Sequence, residues 1–307
     1  MLGTMRIVGE MMRLAARQGG YARREQFVAL GLSPSAIDRR VNEGELTPVT
    51  PGVYRVFPPR DHTDLLRGAV LALPDAVVSH QSAAYLLGFS ILPEKQATVV
   101  VPSHTTHRFP DVTVRRCNDL AAEDVTEVAG LPVTSVPRTL FDLSRLLRFR
   151  EFDSIGESLV IAGQMQLEEF EEITTRLARR GKGGSRYARL FLEIRSGHER
   201  GATILERKGR AVLSNGGLPK PEPQHPIPWA PSRRFDDAYP EAQLAIEWDS
   251  SAWHQQRSAM ISDRRRDREA AAHGWVLLRF TWDDIMERPY EIVSSVKTLL
   301  RDRRMAG

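Results

Sequence analysis

Cysteine is almost missing from this chain: Cys117 is the only one in 307 residues. A lone thiol excludes an internal disulfide and every zinc site built from several thiolates. It is compatible with a reducing interior. Long apolar runs are missing too. None reaches the roughly 18–20 residues that span a bilayer, and the best candidate, Gly68 to Val78, is broken by Pro74 and Asp75. Arg6, Glu10 and Arg13 interrupt what would be the apolar stretch of a signal peptide. A cytoplasmic location with no membrane partner is therefore expected. The glycine cluster Gly181-Lys182-Gly183-Gly184-Ser185 lacks the Gly-Lys-Ser/Thr ending of a P-loop. It reads as a hinge, with anion binding by its backbone N–H groups as the alternative.

At roughly 100–200 residues per domain, the length predicts two or three domains. A composition of 41% hydrophobic and 27% charged residues is that of an ordinary globular protein, so the charge pattern has to carry the inference. The net charge is only +4. Its distribution is more telling: residues 1–60 hold nine arginines against five acidic residues. Arginine far outnumbers lysine, which suits phosphate recognition but also fits a codon bias on solvated faces. A further basic run holds Arg257, Arg264, Arg265, Arg266 and Arg268.

Residues 1–57 read as three short helices and a hairpin. Ile7, Val8, Met11, Leu14 and Ala15 make a helical stripe over Met5 to Arg17. Arg23 to Leu30 is a second helix. Ser33 caps a third, with Pro34 at its first position and Gly44 at its end. Leu46 to Val49 and Val53 to Val56 flank a Pro51-Gly52 turn. This is the order of a winged helix-turn-helix, whose last helix enters the major groove. The expected DNA contacts are Ser35, Arg39, Arg40 and Asn42, with Arg55 on the hairpin; Asp38 shares the same face. Arginines there can reach guanine edges or phosphates.

Residues 58–150 read as a small α/β domain, with strands at Ala97 to Val101 and Val112 to Arg116. His80, just past a helix start, reads as a structural hydrogen-bonder because no nucleophile is paired with it. Residues 151–198 read as a helical linker carrying the glycine hinge. Three ordered motifs carry a family resemblance: Gly52-Val53-Tyr54-Arg55-Val56, Ser79-His80-Gln81-Ser82-Ala83-Ala84, and Pro132-Val133-Thr134-Ser135 with Arg138-Thr139-Leu140 and Asp142-Leu143. Over about residues 5–150 the chain resembles the AbiEi antitoxin family. The resemblance implies a winged-helix DNA-binding domain, autoregulation of an operon, and neutralisation of a nucleotidyltransferase toxin.

Residues 199–307 alternate helix and strand. Period two places Glu247 and Asp249 on one face of a strand, away from Leu244, Ile246 and Trp248, with Asp236 on the adjoining strand. Acids gathered on neighbouring strands invite a divalent cation. The alternative is that Asp236 and Asp237 lie in a solvated turn while Glu247 pairs with Arg266 or Arg279. The segments Arg234-Phe235-Asp236-Asp237, Ala245-Ile246-Glu247-Trp248-Asp249, Trp253-His254 and Gly274-Trp275-Val276-Leu277-Leu278-Arg279-Phe280 are similar to the very-short-patch-repair-like branch of the PD-(D/E)xK endonucleases. The resemblance implies a mixed sheet flanked by helices. It also implies Asp236 and Glu247 as ligands of Mg²⁺ (or Mn²⁺), and Glu206 as an outer carboxylate. Asp249 stands where the parent superfamily has lysine, which leaves His254 as the candidate for proton transfer. Arg264 and Arg266 are the expected phosphate contacts of this domain.

The expected fold class is thus multidomain α/β. Two functions stay open: a DNA-binding regulator carrying a metal-dependent endonuclease, and a non-enzymatic antitoxin and autorepressor whose degenerate nuclease fold binds DNA or a partner. The expected partners are DNA and a nucleotidyltransferase toxin, with a homodimer left open.

Overall fold

Ile7, Met11 and Leu14 recur at helical spacing and bury one face of α1 (Leu2–Arg17). The computed structural model of the chain describes residues 2–73, 75–89, 97–104, 108–179, 183–195, 201–249 and 257–305. After α1, Gly19 and Gly20 at positive φ turn the chain into β1 (Tyr21–Arg23), followed at once by α2 (Arg24–Ala29) and α3 (Pro34–Asn42). β2 (Thr47–Thr50) and β3 (Val53–Arg55) form the expected hairpin. The three strands pair antiparallel in the order β1-β3-β2. Phe27, Leu32, Ile37, Leu46 and Tyr54 fill the small core beneath the helices. The helix and hairpin order is the one expected of a winged helix. β1 is an addition, since three residues are too few to show a periodicity.

The next segment runs α4 (His62–Ala72), β4 (Val77–Val78), α5 (His80–Leu86), β5 (Ala97–Val101), β6 (Val112–Arg116), β7 (Val125–Val128), β8 (Leu131–Thr134) and α6 (Val136–Leu143). Its five strands form a mixed sheet ordered β6-β5-β4-β8-β7. β5 is buried at all five positions, as a continuous Val-rich run predicts for a strand covered on both faces. From β1 of the first small sheet, Tyr21 extends its ring into this core, 5.4 Å from that of Phe109. Gly68 of α4 lies against the Tyr21 ring, and a Cβ there would collide with it. α7 (Phe149–Ile161) and α8 (Leu167–Leu177) follow; α8 buries Phe170, Ile173 and Leu177.

The remaining elements are α9 (Ser185–Arg195), α10 (Gly201–Asn215), β9 (Glu222–Ile227), β10 (Ala230–Tyr239), β11 (Leu244–Asp249), α11 (Arg257–Ala272), β12 (Val276–Thr281), α12 (Trp282–Glu287) and α13 (Pro289–Met305). Four strands form a mixed sheet ordered β12-β11-β10-β9. β10 and β11 are antiparallel across a short connection, whereas β12 returns parallel to β11 after α11. A parallel return needs such a crossover. Gly209 of α10 sits against the Trp248 ring, where a Cβ would clash. Phe149, Phe152, Tyr187 and Phe191 form an aromatic cluster completed by Trp282, whose ring lies 5.8 Å from Phe149.

By internal contacts the chain divides into two units. One comprises Met1–Leu146 with Ile155–Ser185, and the other Leu147–Ser154 with Arg186–Gly307. The segment read as a linker, 151–198, is therefore shared between the two. Among the described residues no helix is long and apolar enough to cross a membrane.

Candidate nucleic-acid interface and acidic constellation

α3 begins where Ser33 Oγ accepts the Ala36 N–H at 3.2 Å, with Pro34 in the first turn. Ile37 is fully buried, which fixes the helix face turned outward. Ser35, Asp38, Arg39 and Asn42 are on that exposed face. Arg39 Nε approaches Glu43 at 3.9 Å, with both side chains largely in solvent. Such a pair holds its guanidinium weakly. Arg24 Nη1 bonds to Asp38 at 2.8 Å and to the Tyr54 hydroxyl at 2.9 Å. The Arg24 hydrogen bond holds the Asp38 carboxyl below the usual range. Val41, Asn42, Pro48 to Gly52 and Tyr54 line, with Asp38, a groove of about 580 Å³ between α3 and the hairpin.

Two of the expected contacts do not share this face. Arg40 is only 7% exposed. Its Nη1 donates to the Ala36 carbonyl at 3.2 Å, and its Nε lies 3.4 Å from Glu45. Arg40 lies three residues after Ile37 and so shares its core-facing side of the helix, whereas Arg39, two residues after it, faces outward. Arg55 pairs directly with Tyr21 across the sheet. Directly opposite residues share a face, and Tyr21 points away from the helices of this module into the neighbouring core. Arg55 therefore stands on the face opposite α3, while Tyr54 packs beneath the helices.

In the second unit the strand alternation gathers predicted acids, and arginines meet Glu247 and Glu206. Glu247 Oε2 lies 2.7 Å from Arg279 Nη1, and its Oε1 lies 3.1 Å from Arg266 Nη2. Asp236 accepts the Trp248 backbone N–H at 2.8 Å, and burial pushes its carboxyl up. Glu206 accepts from Arg210 Nη2 at 2.9 Å; burial and then the nearby Asp236 charge push it up. Asp237, which one alternative placed in a solvated turn, is fully buried. It accepts both Arg210 Nε, at 2.8 and 2.9 Å, and Trp248 Nε1, at 2.7 Å. Its signal was in the sequence: by period two Asp237 falls on the same strand face as Tyr239, and Arg210 follows Glu206 by one helical turn.

Glu247 does not fit a divalent cation as it stands, because two guanidinium groups already provide the countercharge that Mg²⁺ or Mn²⁺ would supply, while Asp236 is held by the Trp248 backbone N–H. Among the described residues no group of three or more His, Cys, Asp or Glu side chains has the geometry to hold a metal. Asp249 ends β11 opposite Thr281. His254 lies outside the described residues. Of the expected phosphate contacts here, Arg264 is exposed, whereas Arg266 is engaged by Glu247.

The middle segment contains a buried arginine the sequence reading left unexplained. Arg138 Nε donates to Asp142 at 3.0 Å and its Nη1 to Asp124 at 3.0 Å. Arg138 and Asp142 both belong to the third family motif, and they are one helical turn apart. Cys117 bonds Asp119 at 2.9 Å, and burial pushes its thiol up, which makes it a poor nucleophile.

Residues 10–56 match a family model described as transcriptional regulator, AbiEi antitoxin. Over 278 residues, or 88% of this chain, the sequence is 28% identical to two uncharacterized proteins of Mycobacterium tuberculosis, and covers 98% of each. They are MT2308 of strain CDC 1551 / Oshkosh and Rv2248 of strain ATCC 25618 / H37Rv. A crystal structure of the RV2827C protein from Mycobacterium tuberculosis aligns with 65% of this chain and 80% of its own, at 20% identity and a TM-score of 0.43. The segment that carries α3 and the hairpin is thus the one similar to AbiEi antitoxin transcriptional regulators, a family that points to a DNA-binding regulator.

Proposed function

We propose that the protein is a DNA-binding regulator of antitoxin type that holds duplex DNA through α3. One observation carries this reading: the helix presents Ser35, Arg39 and Asn42 on a single exposed face, with its N-terminus capped and its other face buried. The match of residues 10–56 supports it. The N-terminal residues of such a helix reach base edges in the major groove, and Arg39 is placed for a guanine edge or a phosphate. The natural target on this reading is the promoter of its own operon. The protein partner is a nucleotidyltransferase toxin, and DNA half-sites would be met by two copies of the chain. A fluorescence anisotropy titration of the full chain tests this, using its upstream DNA against unrelated DNA of equal length. Tighter binding to the upstream DNA, weakening as salt rises, supports the reading. Equal affinity for both DNAs overturns it.

A second reading rests on the convergence of Glu206, Asp236 and Glu247: hydrolysis of DNA phosphodiesters by the C-terminal unit. The arginines bound to Glu206 and Glu247 weigh against it. Cleavage of duplex, nicked, mismatched or single-stranded DNA in Mg²⁺ or Mn²⁺, lost in Glu247→Gln, would establish it. No cleavage of any of these substrates by the folded wild-type protein would refute it.

A further inference from the structure

Beside β6 and α6, in the first unit, lies a cavity of about 440 Å³ that the regulator function does not use. Among the described residues its lining includes Arg115, Arg116, Arg138, Arg145 and Arg179 against two acids, Asp119 and Asp142. Part of that charge is balanced. Arg138 is tied to Asp142 and Asp124, and Arg179 reaches Asp119 at 3.4 Å. Arg115 and Arg145 add two further guanidinium groups to the lining. Arg115 Nε is shielded from solvent and meets no acceptor among the described residues. A shielded guanidinium donor without an acceptor is costly, and an incoming anion relieves that cost.

His80 lines the same cavity and is 6% exposed. Its φ of +54° is a left-handed conformation that non-glycine residues adopt at a cost, and such strain concentrates at ligand sites. Nδ1 lies 3.0 Å from Ser79 Oγ. Burial first, then the charges of Arg115, Arg145 and Arg138, push the imidazole down to about 3. The ring is therefore neutral at pH 7 and stands in a positive field. Gly183, from the glycine cluster noted in the sequence, also lines the cavity, with the Arg145 stem beside it.

We propose that this cavity binds a small phosphate ester of nucleotide size, with the phosphate held by Arg115 and Arg145. The chemistry favours phosphate because a guanidinium fork matches its oxygens two at a time. The size favours an organic part as well, since cavities of roughly 300–1,000 Å³ suit small organic ligands, and inorganic phosphate alone would leave most of this one unfilled. Val100 and Phe141 supply apolar lining for that part.

Isothermal titration calorimetry on the full chain tests the proposal. The probes are inorganic phosphate, pyrophosphate, nucleoside mono- and diphosphates, the matching nucleosides, and a 5′-phosphorylated oligonucleotide. A nucleoside mono- or diphosphate should bind, and its nucleoside should not. Arg115→Gln should weaken binding about tenfold or more, as should Arg145→Gln, with affinity for upstream DNA unchanged. Arg145 is exposed, so its variant carries the test if Arg115→Gln lowers the melting temperature. The imidazole NMR signals of His80 should move on ligand binding. No binding of any phosphate probe at millimolar concentration would overturn the proposal, as would equal affinity in wild type and both variants. Binding of the oligonucleotide alone would also overturn it, by making the ligand a nucleic-acid end.

Discussion

On the outward face of α3 Asp38 and Arg39 stand in solvent, whereas Asp237 of β10 and Glu247 of β11 are buried and matched. Arg39 meets Glu43 only at 3.9 Å, and both are exposed. Glu247 is 6% exposed and sits between Arg266 and Arg279, and Asp237 is fully buried against Arg210. A charge left hydrated costs the fold little and remains available to a partner. A buried charge must be satisfied within the protein, and breaking such a pair leaves its partner stranded. The same residue types therefore support recognition in one place and architecture in the other. What separates them is burial.

The comparison can be broken most forcefully at Arg138, which is 2% exposed. Arg138→Met should cost about 3–5 kcal/mol, because it strips a buried guanidinium from Asp142 and Asp124 and leaves Asp124 to the part-exposed Arg176. Urea denaturation measures this; a loss below about 1 kcal/mol would show that the network is not structural.

Glu247→Gln comes next. If the arginines neutralise this carboxylate, the variant should lose roughly 2 kcal/mol in metal-free buffer, and Mg²⁺ should leave both melting temperatures unchanged. If the acids await a metal, the metal-free variant should instead gain stability through relieved repulsion, and Mg²⁺ should raise only the wild type. Thermal melts with and without Mg²⁺ separate these outcomes.

Acidity sharpens the contrast with opposite signs. The Arg60 hydrogen bond holds Asp64 below the usual carboxylate range, against the opposing effect of burial. Its stabilising contribution is complete above the ordinary value of about 4 and is lost as pH falls through the depressed folded value. Burial pushes Asp236 up instead. Its ionisation costs stability above the raised value, and that cost disappears as pH falls below about 4. The advantage of wild type over Asp64→Asn should therefore shrink on acidification between pH 6 and 3, while Asp236→Asn should lose ground to wild type. Denaturant titrations at several pH values read both trends. The smallest effect belongs to the helix start: Ser33→Ala should cost about 1 kcal/mol by removing the bond to the Ala36 N–H.

Local signals made the α3 module legible. Ser33-Pro34, Gly44 and Pro51-Gly52 act within a few residues, so helix and hairpin could be read without knowing what packs on them. β5 and β6 were equally plain, as short β-branched runs. Strands defined by pairing were not. β9 carries Pro223 and Pro226, which argue against a strand until its place at the sheet edge is known. β1 exists because β3 lies beside it. At the acidic constellation, alternation gave the shared face of Glu247 and Asp249. It could not show that β12 would set Arg279 directly beside Glu247. Arg40 was misread for a similar reason: its rotation about the helix was settled only once Ile37 was fixed in the core.

The most direct measurement is the affinity of Arg39→Ala for the upstream DNA, taken together with its melting temperature. Arg39 is exposed and weakly paired, so the expected result is an affinity lower by about 1–3 kcal/mol with an unchanged melting temperature. Wild-type affinity in that variant would contradict the assignment of α3 as the surface that holds DNA.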